Sequence, residues 1–271
     1  MKIKLVADSS SNVFSLPGAD YSCVPMKILS PTREYVDTPE LELDELLDDL
    51  KTARGPSGTS CPNFHEWSEA FEGADCGFAV TITSGLSGAC SAASHAAAER
   101  ENICVLDSLS TGPEMQLILE KLRDYIAEGL DFESMKAKIR DYMAHTHLLF
   151  CLQSLHNLAQ NGRVSHAAAK LAGALGLRMV GKASDEGTLE LLHKARGERK
   201  AISTIWEEML RHGYQGGKVA ISHCKNLPAA QALRELVHGC FPAAPVDIVP
   251  CAALCSFYAE EGGFIVGYEG L

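Results

Sequence analysis

The chain has no Cys-x-x-Cys pair, no internal repeat and no excess of positive charge, and none of its apolar runs nears the roughly 20 residues that span a bilayer. Each absence removes a class of function. The close cysteine pair in Cys251-Ala252-Ala253-Leu254-Cys255 lacks a second cluster to complete a tetrahedral zinc site. His145-Thr146-His147 would set two imidazoles on one strand face, but no third ligand follows at a helpful spacing, so a strand edge and no metal are expected. The opening Met1-Lys2-Ile3-Lys4-Leu5-Val6-Ala7-Asp8 is too short and too acidic at its end for a secretion signal, which gives an expectation of a cytoplasmic protein without a membrane span. With 24 Lys and Arg against 35 Asp and Glu, the net charge of -11 has the wrong sign for a nucleic-acid backbone or an anionic membrane.

What the chain does have is core material. Its 271 residues are 46% hydrophobic and 22% charged, enough for one large or two modest domains. The ten cysteines are scattered, and those in apolar runs, such as Cys104 and Cys151, read as buried thiols. Apolar runs at 3–7, 78–83 and 103–106 read as strands with helices between them, an order that implies a parallel sheet covered on its faces. A helix over 43–52 carries Glu45, Asp48 and Asp49 opposite Leu43, Leu46, Leu47 and Leu50, a solvated face rather than a binding patch. Two more amphipathic helices, 115–128 and 132–142, lead to an apolar strand at 147–152.

Beyond about residue 160 the rhythm changes. Strand-like runs at 178–184 and 189–195 flank Asp185-Glu186-Gly187-Thr188, a hairpin turn. A helix at 201–212, a strand at 218–223, a helix after Asn226-Leu227-Pro228, and strands at 246–249 and 264–268 complete the chain. The fold expected is α/β in two domains. Residues 1–160 form an N-terminal parallel sheet flanked by helices, and residues 161–271 a C-terminal α/β domain with a mixed, partly antiparallel sheet.

Three hydroxyl-bearing turns stand where a strand or loop feeds a helix: Asp8-Ser9-Ser10-Ser11-Asn12, Gly58-Thr59-Ser60-Cys61-Pro62-Asn63 and Ser84-Gly85-Leu86-Ser87-Gly88. Such junctions aim backbone N–H groups and the positive end of a helix dipole at one spot, where an anion or a carbonyl oxygen is held well. In an open parallel sheet the first and third turns converge on one crevice, with Thr59 and Ser60 joining from the side. Ordinary helix capping, by Ser60 or Asn63 behind Pro62, is the competing reading of the same residues. A different chemistry starts from Gly85-Leu86-Ser87-Gly88-Ala89, which nearly reproduces the nucleophile elbow of serine hydrolases; Ser87 would then attack an acyl carbonyl, with His223 as base and Asp247 orienting it.

In their order along the chain these segments resemble the DegV family of bacterial fatty-acid-binding proteins, which includes the binding subunits of fatty-acid kinase. Asp8-Ser9-Ser10 is similar to the family's opening D-S motif, Thr59-Ser60-Cys61-Pro62 to its T-S-x-P turn, and Thr83-Ser84-Gly85-Leu86-Ser87-Gly88 to its S-S-x-L-S-G-T turn. The segment from Leu155 to Ser165, containing Asn161-Gly162-Arg163-Val164-Ser165, resembles L-x-x-L-x-x-G-G-R-I-S, with Gly187 to Arg196 in the expected place after it.

The resemblance implies a non-catalytic protein that buries one long-chain fatty acid in a tunnel and presents its carboxyl group to a separate kinase carrying ATP and metal. No cofactor beyond the lipid is implied. Thr59 and Ser84 would bond the carboxylate, Gly85 would let backbone approach it, and Arg163 would meet the head group or a phosphate on it. Arg163 also reads as a surface ion pair. Asp8, Ser9 and Ser60 would support these turns. Asn161 replaces a glycine and Asn12 an acid, both tolerable. Tyr258 falls where the family's C-terminal H-x-G-P-G motif has its histidine, and a phenol can still donate to a carboxylate, although it does not become a cation near neutral pH. The Ala- and Leu-rich run 167–177 suits a tunnel wall, and equally a plain core.

Overall fold

A strand covered on both faces needs no polar alternation, so continuous apolar runs bounded by hydroxyl and glycine turns become buried parallel strands. The computed structural model, which describes residues 2–172 and 176–270, begins with such a strand, β1 (Ile3–Asp8), closed by a 3-10 turn at Ser9–Ser11. Short strands β2 (Asp20–Val24), β3 (Lys27–Leu29) and β4 (Glu34–Val36) lead to α1 (Leu43–Thr52), β5 (Gly58–Ser60) and α2 (Phe64–Ala70). Then come β6 (Cys76–Thr81), α3 (Ala89–Ala97), β7 (Ile103–Asp107), α4 (Gly112–Ala127), α5 (Phe132–Met143) and β8 (Thr146–Leu152). The remainder runs α6 (His156–Gln160), α7 (His166–Ala172), β9 (Leu177–Ala183), β10 (Leu189–Arg196), α8 (Glu198–Arg211), β11 (Val219–His223), α9 (Leu227–Cys240), β12 (Val246–Pro250), α10 (Ala253–Ala259) and β13 (Phe264–Glu269).

Three sheets result. The first, ordered β2-β1-β6-β7, is wholly parallel, with Leu5 opposite Phe78 and Phe78 opposite Cys104. The second, ordered β10-β9-β8-β13-β11-β12, is antiparallel except for the parallel pair β11 and β12. Strand β8 precedes residue 160 in the chain yet pairs with β13 and β9 in this second sheet. An apolar strand carries no mark of which neighbour will pair with it. The third sheet, ordered β4-β3-β5, is antiparallel and small, and it holds Thr59 opposite Ile28.

Helix starts follow local chemistry. The Asn63 side chain accepts from the N–H groups of His65 and Glu66 while Glu66 reaches back to the Asn63 N–H, a reciprocal cap for α2. Ser60 is no part of that cap; its hydroxyl donates to the Cys61 carbonyl. Helix α9 begins with Asn226 accepting from the Ala229 N–H and with Pro228 in its first turn.

One core, with Trp67, Phe78 and Ile118 fully buried, lies around the first sheet, and another, with Ile205, Leu233 and Val266, lies under α8 and α9. Between the sheets, Leu148, Phe150 and Leu152 of β8 join Leu155, Leu158 and Cys255 in a third cluster, while Leu149 and Cys151 face the second core, as strand alternation requires. Helix α4 packs on β13 and β11 and also on β1 and β6, so it ties the two large sheets together. Its close approach needs Gly267, where a Cβ would stand 2.5 Å from the Glu114 nitrogen. Of the Ala- and Leu-rich run 167–177, residues 173–175 lie outside the described residues.

Candidate functional site

Thr59 reaches the crevice from β5, and Tyr258 reaches it from α10. Their side-chain oxygens are 2.7 Å apart, and either can donate. The sequence separation of 199 residues is bridged by a buried polar network that fixes α10. Asp37 accepts from the Ala253 N–H at 2.9 Å and from the Leu254 N–H at 3.2 Å, at the start of that helix, and from the Ser9 hydroxyl at 2.8 Å. The same Ser9 hydroxyl accepts from the Met26 N–H at 3.0 Å. Asp8 accepts from the Ile82 N–H at 2.8 Å and from the Ser10 N–H and hydroxyl. Burial pushes both carboxyls up to about 6, although the hydrogen bonds each accepts pull the other way. Through these contacts Asp8 ties the first turn to the strand end at Ile82, and Ser9 ties it through Asp37 to α10.

Arg163 lies between these parts. Its Nε donates to the Leu86 carbonyl at 3.1 Å, its Nη1 donates to the Asn161 carbonyl, and its guanidinium carbon is 5.9 Å from the centre of the Tyr258 ring. Two bonds leave most of the five guanidinium donors uncommitted by these contacts. No surface ion pair of Arg163 occurs among the described residues.

Thr59, Ser60, Ser87, Gly88, Arg163 and Tyr258 stand on the wall of one cavity of about 350 Å³. The rest of the wall is mostly apolar, with Leu148, Phe150 and Leu152 from β8, Ile265 from β13, and Leu254 and Cys255 from α10 among it. Cys255 is buried, and burial raises its thiol well above the usual range, so it behaves as apolar surface.

The third turn is arranged differently from the reading of its sequence. Ser84 is exposed, its N–H donates to the Asp107 carboxylate at 3.1 Å, and neither Ser84 nor Gly85 is on the cavity wall. The Gly85 N–H donates to the Thr83 hydroxyl at 3.1 Å, and the N–H groups of Leu86 and Ser87 donate to the Thr83 carbonyl at 3.2 Å. The turn therefore spends these donors on itself. Gly85 is needed for another reason: a Cβ there would lie 2.8 Å from the Gly187 carbonyl oxygen, at the tip of the β9–β10 hairpin that docks on this turn. Ser87 and Gly88 line the cavity in its place. Asp37 went unread in the sequence, where a lone Asp before Thr-Pro gives no signal.

The serine-hydrolase constellation does not assemble. The Ser87 hydroxyl accepts from the Ala89 N–H at 3.2 Å, as a helix-start residue does. His223 Nδ1 accepts from the Asn226 N–H at 3.2 Å, and Asp247, opposite Ala220 in the sheet, pairs with Lys218 at 2.9 Å. Asp247 is thus three positions along the ladder from His223, about 10 Å, and on the other side of the pleat. It does not orient that imidazole. Among the described residues no group of His, Cys, Asp or Glu is arranged to hold a metal, and no helix is long and apolar enough to cross a membrane.

These features define an α/β protein with a mostly apolar cavity between its second sheet, its small third sheet and α10, with hydroxyls and a guanidinium on the wall. The chain belongs to the DegV family, whose model, described as an uncharacterised protein of that family, matches residues 2–269. It is 39% identical over 284 residues to a DegV domain-containing protein of Streptococcus pneumoniae, covering 99% of each chain. Among solved structures it is similar to the Streptococcus pneumoniae fatty acid kinase (Fak) B3 protein loaded with linoleic acid, with a TM-score of 0.97 and 39% identity over 100% of both chains. A DegV family protein from Eubacterium eligens loaded with heptadecanoic acid is similar to it at a TM-score of 0.96 and 39% identity, covering 99% of this chain and 100% of that one.

Proposed function

We propose that this chain binds one long-chain fatty acid, with the hydrocarbon in the 350 Å³ cavity and the carboxylate at the end formed by Thr59, Tyr258 and Arg163, and presents that carboxylate to a separate kinase. The observation that carries the reading is the division of one cavity wall into a hydroxyl pair with a guanidinium nearby and a remainder that is mostly apolar. A fatty acid has the same division. Each methylene moved out of water contributes about 0.8 kcal/mol, so the apolar part supplies affinity, while the hydroxyls and Arg163 supply orientation. Solved relatives loaded with linoleic and heptadecanoic acids support it, and the partner kinase is proposed from the name of the pneumococcal relative.

On this reading Thr59 and Tyr258, already hydrogen-bonded to each other, turn their hydroxyl protons toward the carboxylate oxygens when the ligand enters. The guanidinium of Arg163 stands where it also meets a phosphoryl group added to that carboxylate. The chain holds and orients; the kinase would supply nucleotide and metal. The test compares oleate with its methyl ester on the purified, delipidated chain. A preference for the free acid of about tenfold or more is expected, the worth of a charged hydrogen bond. Equal affinity for acid and ester would remove the head-group site.

A further inference from the structure

We infer that Leu148 is the length stop of the acyl cavity, the residue that sets the longest chain the protein takes; this rests on the fatty-acid reading above. A second cleft, of about 530 Å³, lies beside the acyl cavity, with Leu109, Glu114, Arg140, Thr146 and Lys182 on its wall. Among the described residues Leu148 is common to the walls of both.

The backbone explains why the partition falls there. Strand β8 pairs with β9 from Leu149 to Leu152, whereas its first residues, from Thr146 to Leu148, keep only β13 as a ladder partner. The gap on the open side is the second cleft, walled by Thr146 and Leu148 of β8, by Lys182 and Ala183 of β9 and by Ser184 just after it. On the face turned to the acyl cavity, Leu152, Phe150 and Leu148 alternate along the strand, each step about 7 Å. Just beyond Leu152, Asn157 of α6 donates to the Phe257 carbonyl at 2.8 Å, and Leu152 packs in one cluster with Ala259 and Tyr258; on the fatty-acid reading this puts the carboxylate toward Leu152 and the tail toward Leu148.

The chemistry on the two sides differs sharply. A tail that stops short of Leu148 is wrapped by Phe150, Ile265 and Leu254, whereas one pushed past it enters a cleft holding Glu114, Arg140 and Lys182. Each methylene buried is worth about fourfold in relative affinity, and a methylene beyond the stop gains none of this. Leu148 is only 3% exposed, and as a wall of both spaces it stands between them. A chain longer than the cavity must fold back on itself or displace Leu148.

The experiment loads the purified full chain with an equimolar mixture of myristate, palmitate, stearate, arachidate and behenate. The bound set is then read by native mass spectrometry and by lipid extraction. Leu148→Ala is expected to raise bound arachidate relative to palmitate by about fifteenfold, the worth of roughly two methylenes. Leu148→Phe shifts the distribution toward myristate, and the milder Leu148→Val moves it in the direction of Ala by a smaller factor, which keeps the test open if the Ala chain fails to fold. Leu149→Ala, on the opposite face of the same strand, leaves the distribution as in the unsubstituted chain. Full lipid occupancy with the same length distribution in the Leu148 variants overturns the length stop while leaving the fatty-acid reading intact. A chain that binds none of the five acids, substituted or not, overturns both.

Discussion

Thr59 and Tyr258 share one short hydrogen bond across almost the whole chain, and no spacing rule connects residues so far apart. Thr59 was readable as a donor in a hydroxyl-bearing turn, and Tyr258 came from the family resemblance as a donor to the same carboxylate; the bond between the two was not readable. Replacing either hydroxyl, Thr59→Val or Tyr258→Phe, is expected to weaken fatty-acid binding by about tenfold, since a hydrogen bond to a charged group contributes about 1.5–3 kcal/mol and its partner hydroxyl remains. Fluorescent fatty-acid displacement measures it. Arg163→Ala is expected to keep lipid occupancy and to lower kinase-dependent phosphorylation of the bound acid, measured as acyl phosphate formed with a bacterial fatty-acid kinase. Glu114 is a different kind of residue: its carboxylate accepts from the Thr146 and Ser110 hydroxyls, and burial pushes it up to about 7 from a usual 4.5. A folded-state value above the unfolded one means stability that is fully present below 4.5 and is lost as pH rises through about 7. Between pH about 6 and about 8 the melting temperature of Glu114→Gln is therefore expected to fall less than that of the unsubstituted chain.

Long apolar strands announce themselves, and strands of three residues and a short buried helix do not. The runs at β1, β6, β7 and β8 and the hairpin of β9 and β10 were legible because their apolar residues are continuous or bounded by turn chemistry. Strands β3, β4 and β5 have three residues each, too few for any period to show. Helix α10 is buried at Ala253, Leu254, Cys255, Ser256, Phe257 and Ala259, so it has no polar face to mark it, and Cys255 reads instead as half of a poor metal pair with Cys251, just before the helix. The site hangs on these two inconspicuous elements, since β5 carries Thr59 and α10 carries Tyr258. The β9–β10 hairpin adds a clamp. Gly187 has φ of +72°, and a Cβ there would stand 2.0 Å from the Thr83 hydroxyl oxygen. Gly187→Ala is expected to cost about 2 kcal/mol in urea unfolding, and to speed lipid release as the hairpin tip lifts from the 83–88 turn.

At the scale of the whole molecule, α4 joins two large sheets, and the acyl cavity lies between the second of them, the small third sheet, α10 and the turns that follow β6 and β7. The class of the fold and the parallel and mixed sheets could be read from the order of strands and helices. Membership of β8 in the second sheet could not, because pairing is decided by neighbours remote in the chain. That membership matters: β8 supplies the apolar floor of the cavity and, at Leu148, its end. The central claim is that a fatty acid fills the cavity, and it is tested most directly by denaturing mass spectrometry of lipids extracted from the purified chain, with native mass spectrometry of the intact complex beside it. A single fatty acid per chain, retained through purification and matched by the mass of the intact complex, is the result expected. A chain that is empty as purified and takes up no added fatty acid would contradict the account.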